Sequence, residues 1–382
     1  MKSKILLGMA VMLTACAGNT QTKVVTGAEQ IPEVIAKLKD KRVAMMVNQT
    51  SIVGKTHLVD SLKMLGINIK KIFAVEHGFR GTADAGETVN NSIDSKSGIA
   101  IVSLYGNNKK PTAENLTDID LVVFDIQDVG ARFYTYISSL HYLMEGCAEH
   151  NKPLLILDRP NPNGYVDGPI LQKEFKSFVG MHPIPVVHGM TIGEYAQMIN
   201  GEGWLEGGKK CRLEVIKLKN WRHDDWYSLP VRPSPNLPND QAIALYPSTC
   251  FFEGTALSVG RGTQHPFEWI GHPDLKGYTF QFKPVSIVGM AKQPPFENQI
   301  CFGLDLTKVK AKRQIDLSYL IELYKAFPDK EKFFIKYFNT LAGSDVLREQ
   351  IMTGTNEENI RASWQSGLET FKKIRSKYLL YP

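Results

Sequence analysis

Three carboxylates stand out for the apolar residues around them. Glu76 follows Phe73-Ala74-Val75 and precedes Phe79, Asp125 lies between Phe124 and Ile126, and Asp128 opens the segment that follows. A carboxyl group set beside apolar side chains is partly desolvated, which favours its neutral form and suits it to donate a proton near neutrality. A second carboxylate that stays ionised can serve as base or nucleophile. Such a pair is what cleavage of a glycoside through an oxocarbenium-like centre requires. Glu76 is the candidate acid; an ion pair with Arg80 is its competing role. Asp125 and Gln127 share one face by the two-residue period of a strand, while Asp128 begins the loop. Either Asp128 is the base and Asp125 a buried structural carboxylate held by backbone N–H groups, or the two roles are exchanged.

The elements that must position these groups are legible as an alternation. Strand-length apolar runs at 42–47, 69–75, 99–104, 121–126 and 154–157 are separated by helical patterns near 29–39, 57–65 and 136–150. This order predicts an α/β fold, a Rossmann-like doubly wound and mostly parallel sheet with helices on both faces. Each run ends in a polar loop, at Asn48, 76–81, 105–107, 127–132 and 158–164. Ligands of open parallel sheets bind outside the carboxyl ends of the strands, so these distant loops should meet at one crevice. Farther on, 188–194 reads as a loop entering a helix and 213–218 as another strand, while Pro233, Pro235 and Pro238 rule out regular structure over 232–239. From about 277 the chain mixes strand-like runs at 278–282 and 300–304 with helical patterns at 316–326, 330–339 and 356–378. The expected division is a leader over 1–16, a tether over 17–24, a Rossmann-like catalytic domain over 25–270 and a smaller α+β auxiliary domain over 271–382.

Five stretches, in order, carry a resemblance. They are Glu76-His77-Gly78-Phe79-Arg80-Gly81, the run 124–136 around Gln127-Asp128-Val129-Gly130-Ala131-Arg132, Asp158-Arg159-Pro160-Asn161-Pro162-Asn163-Gly164, Pro233-Ser234-Pro235-Asn236-Leu237, and the run 253–263 from Glu253-Gly254-Thr255 to Gly260-Arg261-Gly262-Thr263. Together they resemble the NamZ family of exo-β-N-acetylmuramidases, over essentially the whole mature chain. Ala256 departs from the polar residue, commonly Asn, expected there. The resemblance implies removal of terminal N-acetylmuramic acid from the non-reducing end of peptidoglycan fragments, at a site between a Rossmann-like and an auxiliary domain. It also implies that Glu76, in the E-H-G-F-R-G motif, is the catalytic residue. The partners so implied are muramoyl-glucosamine saccharides. A non-catalytic lipoprotein that captures cell-wall sugars in the same crevice is the alternative.

The motif residues suit that ligand chemically. Muramic acid carries a lactyl ether ending in a carboxylate, and guanidinium groups bind carboxylates bidentately. Arg80, Arg132, Arg159 and Arg261 are the candidates, Arg132 and Arg261 first; each could equally bond loop carbonyls. Tyr134, Tyr136 and Trp269 offer faces to sugar rings. His77 and His188 can donate to acetamido or hydroxyl groups. Asn161, Asn163 and Asn236 offer amides to hydroxyls or to their own Pro-rich turns. Gln127, Asp158 and Glu253 complete the expected binding set. Retaining, inverting and substrate-assisted routes all remain open.

Composition excludes other classes. With 382 residues, 43% hydrophobic and 22% charged, the chain is ordinary globular protein, and a net charge of +6 is too mild for a dedicated nucleic-acid binder. Gly54-Lys55-Thr56 ends like a phosphate loop, but Gln49 stands where its first glycine is needed. No G-x-G-x-x-G, G-x-S-x-G or H-E-x-x-H occurs, and neither cysteine nor histidine spacing suggests a metal, so no metal and no cofactor is expected. Cys147, Cys211, Cys250 and Cys301 read as buried free thiols, with a bridge permitted in an oxidising compartment. The start is basic, then apolar from Ile5 to Leu13, and ends Leu13-Thr14-Ala15-Cys16, which resembles a bacterial lipobox. Cys16 is then the lipidated residue and the lipid chains the only membrane attachment. Ala17 after it, by analogy with Gram-negative lipoproteins, points to the outer membrane facing the periplasm.

Overall fold

The computed structural model describes residues 23–81 and 90–382. The lipobox and Cys16 lie outside the described residues. The strands, in chain order, are β1 (Val43–Val47), β2 (Ile52–Val53), β3 (Thr56–His57), β4 (Ile69–Ala74), β5 (Ser92–Ile93), β6 (Ala100–Ser103), β7 (Leu121–Asp125), β8 (Leu154–Leu157), β9 (Leu213–Ile216), β10 (Trp269–His272), β11 (Phe280–Phe282) and β12 (Cys301–Asp305).

Seven strands form the central sheet in the order β5-β6-β4-β1-β7-β8-β9, parallel throughout except for β5. The chain steps outward from β1 through β4 to β6, then returns to the other side of β1 and steps through β7, β8 and β9. That reversal makes a topological switch point beside β1, and the carboxyl ends there open a crevice. The expected α/β class is the observed one.

Alternation along each strand sends its side chains to two different cores. Ala44 and Met46, Val122 and Phe124, and Leu154 and Ile156 face one side. Val43, Met45 and Val47, Leu121 and Val123, and Leu155 and Leu157 face the other. The second face is covered by helices Ile31–Leu38 and Leu58–Met64, through Val34, Leu38, Leu58, Val59 and Leu62. The first packs on helices Tyr136–Glu149 and Ile192–Gly201 and continues unbroken into Phe251, Phe338, Leu347 and Trp364. Each buried Val, Leu, Ile, Phe or Met side chain among these contributes about 1.5–3 kcal/mol. The C-terminal residues thus share the apolar core of the sheet, and their own antiparallel sheet has the order β10-β12-β11.

Two elements have features that the sequence patterns above do not include. A helix, Asp240–Thr249, runs through Pro247. Proline leaves the carbonyl four residues back without its helical partner; here the Ile243 carbonyl accepts from Asn163 Nδ2 at 3.1 Å. The helix expected over 330–339 is instead two, Lys330–Phe333 and Tyr337–Ala342. Ala256 N–H takes the Phe333 carbonyl at 2.8 Å and Thr255 bridges to Phe334, which is extended and cannot continue the turn.

Candidate active site

Glu76 stands just beyond the carboxyl end of β4, half-buried. The Tyr105 hydroxyl, in the loop after β6, donates to its Oε1 at 2.9 Å, and the Thr135 hydroxyl, in the loop after β7, donates to Oε2 at 2.9 Å. Three strand ends therefore fix one carboxyl group. Burial, with Glu76 next in effect, pushes the Tyr105 phenol well above its ordinary pKa, so it stays a donor. Because hydroxyls accept as well as donate, this pair can serve either protonation state of the acid.

His77 occupies the left-handed region at φ 66°, an uncommon conformation for a residue other than glycine. Its Nε2 lies 3.1 Å from Ser234 Oγ in the Pro-rich strap. Tyr134 hydroxyl and Gln49 Nε2 both donate to the Pro233 carbonyl, at 2.8 and 3.0 Å. The strap is thereby tied to the loops after β1, β4 and β7. It closes a cavity of about 340 Å³ whose wall includes Glu76, His77, Tyr134, Asn236, Glu253 and Arg261, with Phe133, Phe267 and Leu341 as apolar surface. That volume sits at the small end of ligand pockets, about 300–1,000 Å³.

Of the expected site residues, those six reach the cavity, as does Tyr136. Asn236 Nδ2 donates to the Met290 carbonyl at 2.8 Å, while its Oδ1 is buried with no partner among the described residues, an acceptor available to a ligand. Glu253 accepts from Arg261 Nε at 2.7 Å. It places a second carboxylate on the same wall as Glu76.

Others have structural work. Asp125 is fully buried and bound bidentately by Arg159, Nε to Oδ1 at 2.6 Å and Nη2 to Oδ2 at 2.9 Å. This corrects the part of the expectation that backbone N–H groups hold Asp125, and it removes Arg159 from the ligand readers; Arg159 borders a different cavity, with Val24 and Tyr227. Arg132, one of the two favoured readers, is also corrected. It has no exposed surface and donates to the carbonyls of Pro169, Ile184, Leu341 and Ala342. Burial pulls its pKa down to about 9, which leaves it charged at neutrality. Arg80 engages Asp60 and Asp94 instead of Glu76, and holds the Asp94 carboxyl at about 2 against the opposing effect of burial.

Asp128 does not reach the wall of the cavity. Its Oδ2 accepts from Gly130 N–H at 2.6 Å and lies 3.6 Å from His188 Nε2. Asp158 accepts from Arg159 and Gly193 N–H and from the Thr191 and Tyr381 hydroxyls, anchoring helix Ile192–Gly201 and the C-terminus. Gln127 donates to the Asp128 and Pro160 carbonyls; Asn161 donates to Met190 O, and Asn163 to Val129 O and Ile243 O. Trp269 packs against Phe280 and Phe282 and donates to Asp305. The four cysteines at 147, 211, 250 and 301 are buried free thiols, as expected.

Tyr105 and Thr135, which hold Glu76, were not singled out from the sequence. Their signal was position alone: each sits in a loop that follows a strand.

A carboxyl group held by two hydroxyls in a cavity at the carboxyl end of a doubly wound sheet fits a glycoside hydrolase of α/β architecture. The family model described as exo-beta-N-acetylmuramidase NamZ, N-terminal, matches residues 43–241, and that of NamZ, C-terminal, matches residues 244–381. The chain belongs to the NamZ family. It is 38% identical to the peptidoglycan beta-N-acetylmuramidase NamZ of Bacillus subtilis (strain 168), over 94% of this chain and 92% of that one. Crystal structures of two DUF1343 family proteins from Bacteroides fragilis are similar. One has TM-score 0.88 and 47% identity, the other 0.80 and 29%; each match covers 94% of this chain and 99% of its counterpart.

Proposed function

We propose that this protein is an exo-acting β-N-acetylmuramidase that releases terminal N-acetylmuramic acid from the non-reducing end of peptidoglycan fragments, with Glu76 as general acid. The observation that carries this is the clamped Glu76 carboxyl group on the wall of a cavity sized for one sugar, in a chain of the NamZ family. Glu76 gives its proton to the leaving glycosidic oxygen. The Tyr105 and Thr135 hydroxyls hold the carboxyl group in place and stabilise the carboxylate that results. The bond from the anomeric carbon to that oxygen breaks, water supplies the oxygen that replaces it, and Glu253 is the second carboxylate beside the oxocarbenium-like centre. The orphan Asn236 Oδ1 and the His77–Ser234 pair orient hydroxyl or acetamido groups of the bound sugar.

Glu76→Gln keeps the shape and one acceptor but removes the acid. Release of muramic acid from a muramoyl-glucosamine disaccharide, followed by mass analysis, should fall by about 10²–10⁴, while affinity for the disaccharide stays within about tenfold. Unchanged turnover would remove Glu76 from the mechanism; a wild-type protein that binds but never cleaves would be a sugar-capturing lipoprotein. The Leu13-Thr14-Ala15-Cys16 sequence supports a lipid anchor at Cys16 in the bacterial envelope, and Ala17 after it supports the outer membrane, facing the periplasm. Cys16→Ser should then shift the protein from the membrane to the soluble fraction of a cell lysate, and no shift would refute the anchor.

A further inference from the structure

Four arginines lie in the motif loops, and three are consumed by the protein itself. Arg80 is paired with Asp60 and Asp94, Arg159 with Asp125, and Arg132 with four carbonyls. Arg261 differs. Among the described residues on the wall of the Glu76 cavity it is the one permanently cationic side chain. Its Nε donates to Glu253 Oε1, but its two terminal amino groups donate to no acceptor among the described residues, and 23% of the side chain stays exposed. The outer edge of the guanidinium, the edge that binds a carboxylate in a two-pronged fashion, is therefore open in the cavity.

The surrounding backbone is arranged to hold it there. Arg261 sits between Gly260 and Gly262, both left-handed, at φ 75° and 80°. A Cβ on Gly260 would come within 2.7 Å of the His265 carbonyl, and one on Gly262 within 2.6 Å of the Val285 carbonyl. The guanidinium carbon lies 5.2 Å from the centroid of the Phe267 ring, which supports it from one side. Phe267 is itself left-handed at φ 65°, a disfavoured state for a bulky residue. Burial pulls the Arg261 pKa down, and Glu253 more than restores it.

We propose that Arg261 recognises the lactyl carboxylate of the terminal muramic acid and so sets selectivity over N-acetylglucosamine, which lacks that group. This rests on the muramidase reading above. Glu253 fixes the plane of the guanidinium through Nε, and the terminal amino groups take the two lactyl oxygens. The competing role is that Arg261 only positions Glu253, in which case it would serve both sugars alike.

Calorimetric titration of free N-acetylmuramic acid and free N-acetylglucosamine separates the two, and it needs no turnover. Wild type should prefer the muramic acid. Arg261→Met should weaken muramic acid by at least about tenfold, the loss of a charge-assisted bidentate contact, and change glucosamine by less than about threefold. Arg261→Lys, which keeps the charge without the fork, should fall between. If the Met variant gives no cooperative melt, the selective loss in the Lys variant carries the test. Equal losses for both sugars, or no preference in wild type, would overturn the proposal. Selective binding through Arg261 in a wild type that cleaves no muramoyl disaccharide would instead overturn the catalytic reading and leave this one standing.

Discussion

Replacing Arg159 by Met tests whether a charged motif pair serves the fold or the ligand. Asp125 has no exposed surface and Arg159 only 3%, and two hydrogen bonds of 2.6 and 2.9 Å join them. Arg159 Nη2 also reaches the Ile52 carbonyl at 3.4 Å, so the pair ties β7 and the loop after β8 to the hairpin of β2 and β3. Arg159→Met leaves the Asp125 carboxylate buried without its partner, a change that costs about 3–5 kcal/mol. Against a total stability of about 5–15 kcal/mol, that is a large fraction. Removing both charges, as Asp125→Leu with Arg159→Met, avoids the stranded carboxylate and should recover most of the loss. Urea unfolding followed by tryptophan fluorescence measures both variants. Activity per folded molecule should stay within about threefold for the single variant, because neither side chain borders the Glu76 cavity. A fall in kcat/KM of more than about 100-fold at an unchanged urea midpoint would show that Arg159 contacts substrate, and the structural assignment would fail.

Two further predictions concern pH and act in opposite directions. Burial raises the Asp158 carboxyl pKa to about 6, partly offset by Tyr381, Gly193 and Thr191. The folded state then holds its proton where the unfolded chain has released it, so this group's contribution is fully present below about pH 4 and is lost as pH rises through about 6, on the order of 3 kcal/mol. The difference in unfolding free energy between Asp158→Asn and wild type should therefore move in favour of the variant across that window, and a flat difference would refute the shift. His182 is the reverse case. It is buried between the Tyr195 hydroxyl at 2.7 Å and His141 Nδ1 at 3.0 Å, stacked on Trp204, and burial followed by His141 holds its pKa well below the ordinary value. Its contribution is present above the unfolded value of about 6.5 and is lost as pH falls below it. The urea midpoint of His182→Gln should depend less on pH than that of wild type between about 7.5 and 5.5, and equal slopes would count against it.

The scaffold was legible because its signals are local. Period-two alternation within β1, β7 and β8 matches the two cores residue by residue, and polar loops at their ends marked the crevice. The place of Glu76 on the cavity wall was legible too, from a carboxylate that follows an apolar strand. Residue type could not say which arginines were available. Arg132 meets carbonyls at Leu341 and Ala342, more than two hundred positions along the chain, and nothing near Arg132 in sequence announces them. The break between Phe333 and Tyr337 escaped for the same reason, since the segment that takes the Phe333 carbonyl comes from Ala256. Pro247 obscured its helix because the compensating donor, Asn163, lies elsewhere in the chain.

Those buried charges explain why the motifs run longer than the chemistry demands. The loops after β4, β7 and β8 have little regular hydrogen bonding, and unpaired buried backbone groups are costly. Arg132 satisfies four carbonyls, Asn163 two and Gln127 two, from the loops after β7 and β8. The result is a braced loop after β7, from which Thr135 meets Glu76 Oε2 at 2.9 Å while Tyr105, in the loop after β6, meets Oε1 at 2.9 Å. A loop left to side-chain packing alone would let the Thr135 hydroxyl drift, and a misplacement of about 1 Å can cost 10²-fold in rate. Most motif residues therefore hold the loops in place, while among the described residues Asn236 and Arg261 keep an unpaired edge in the cavity.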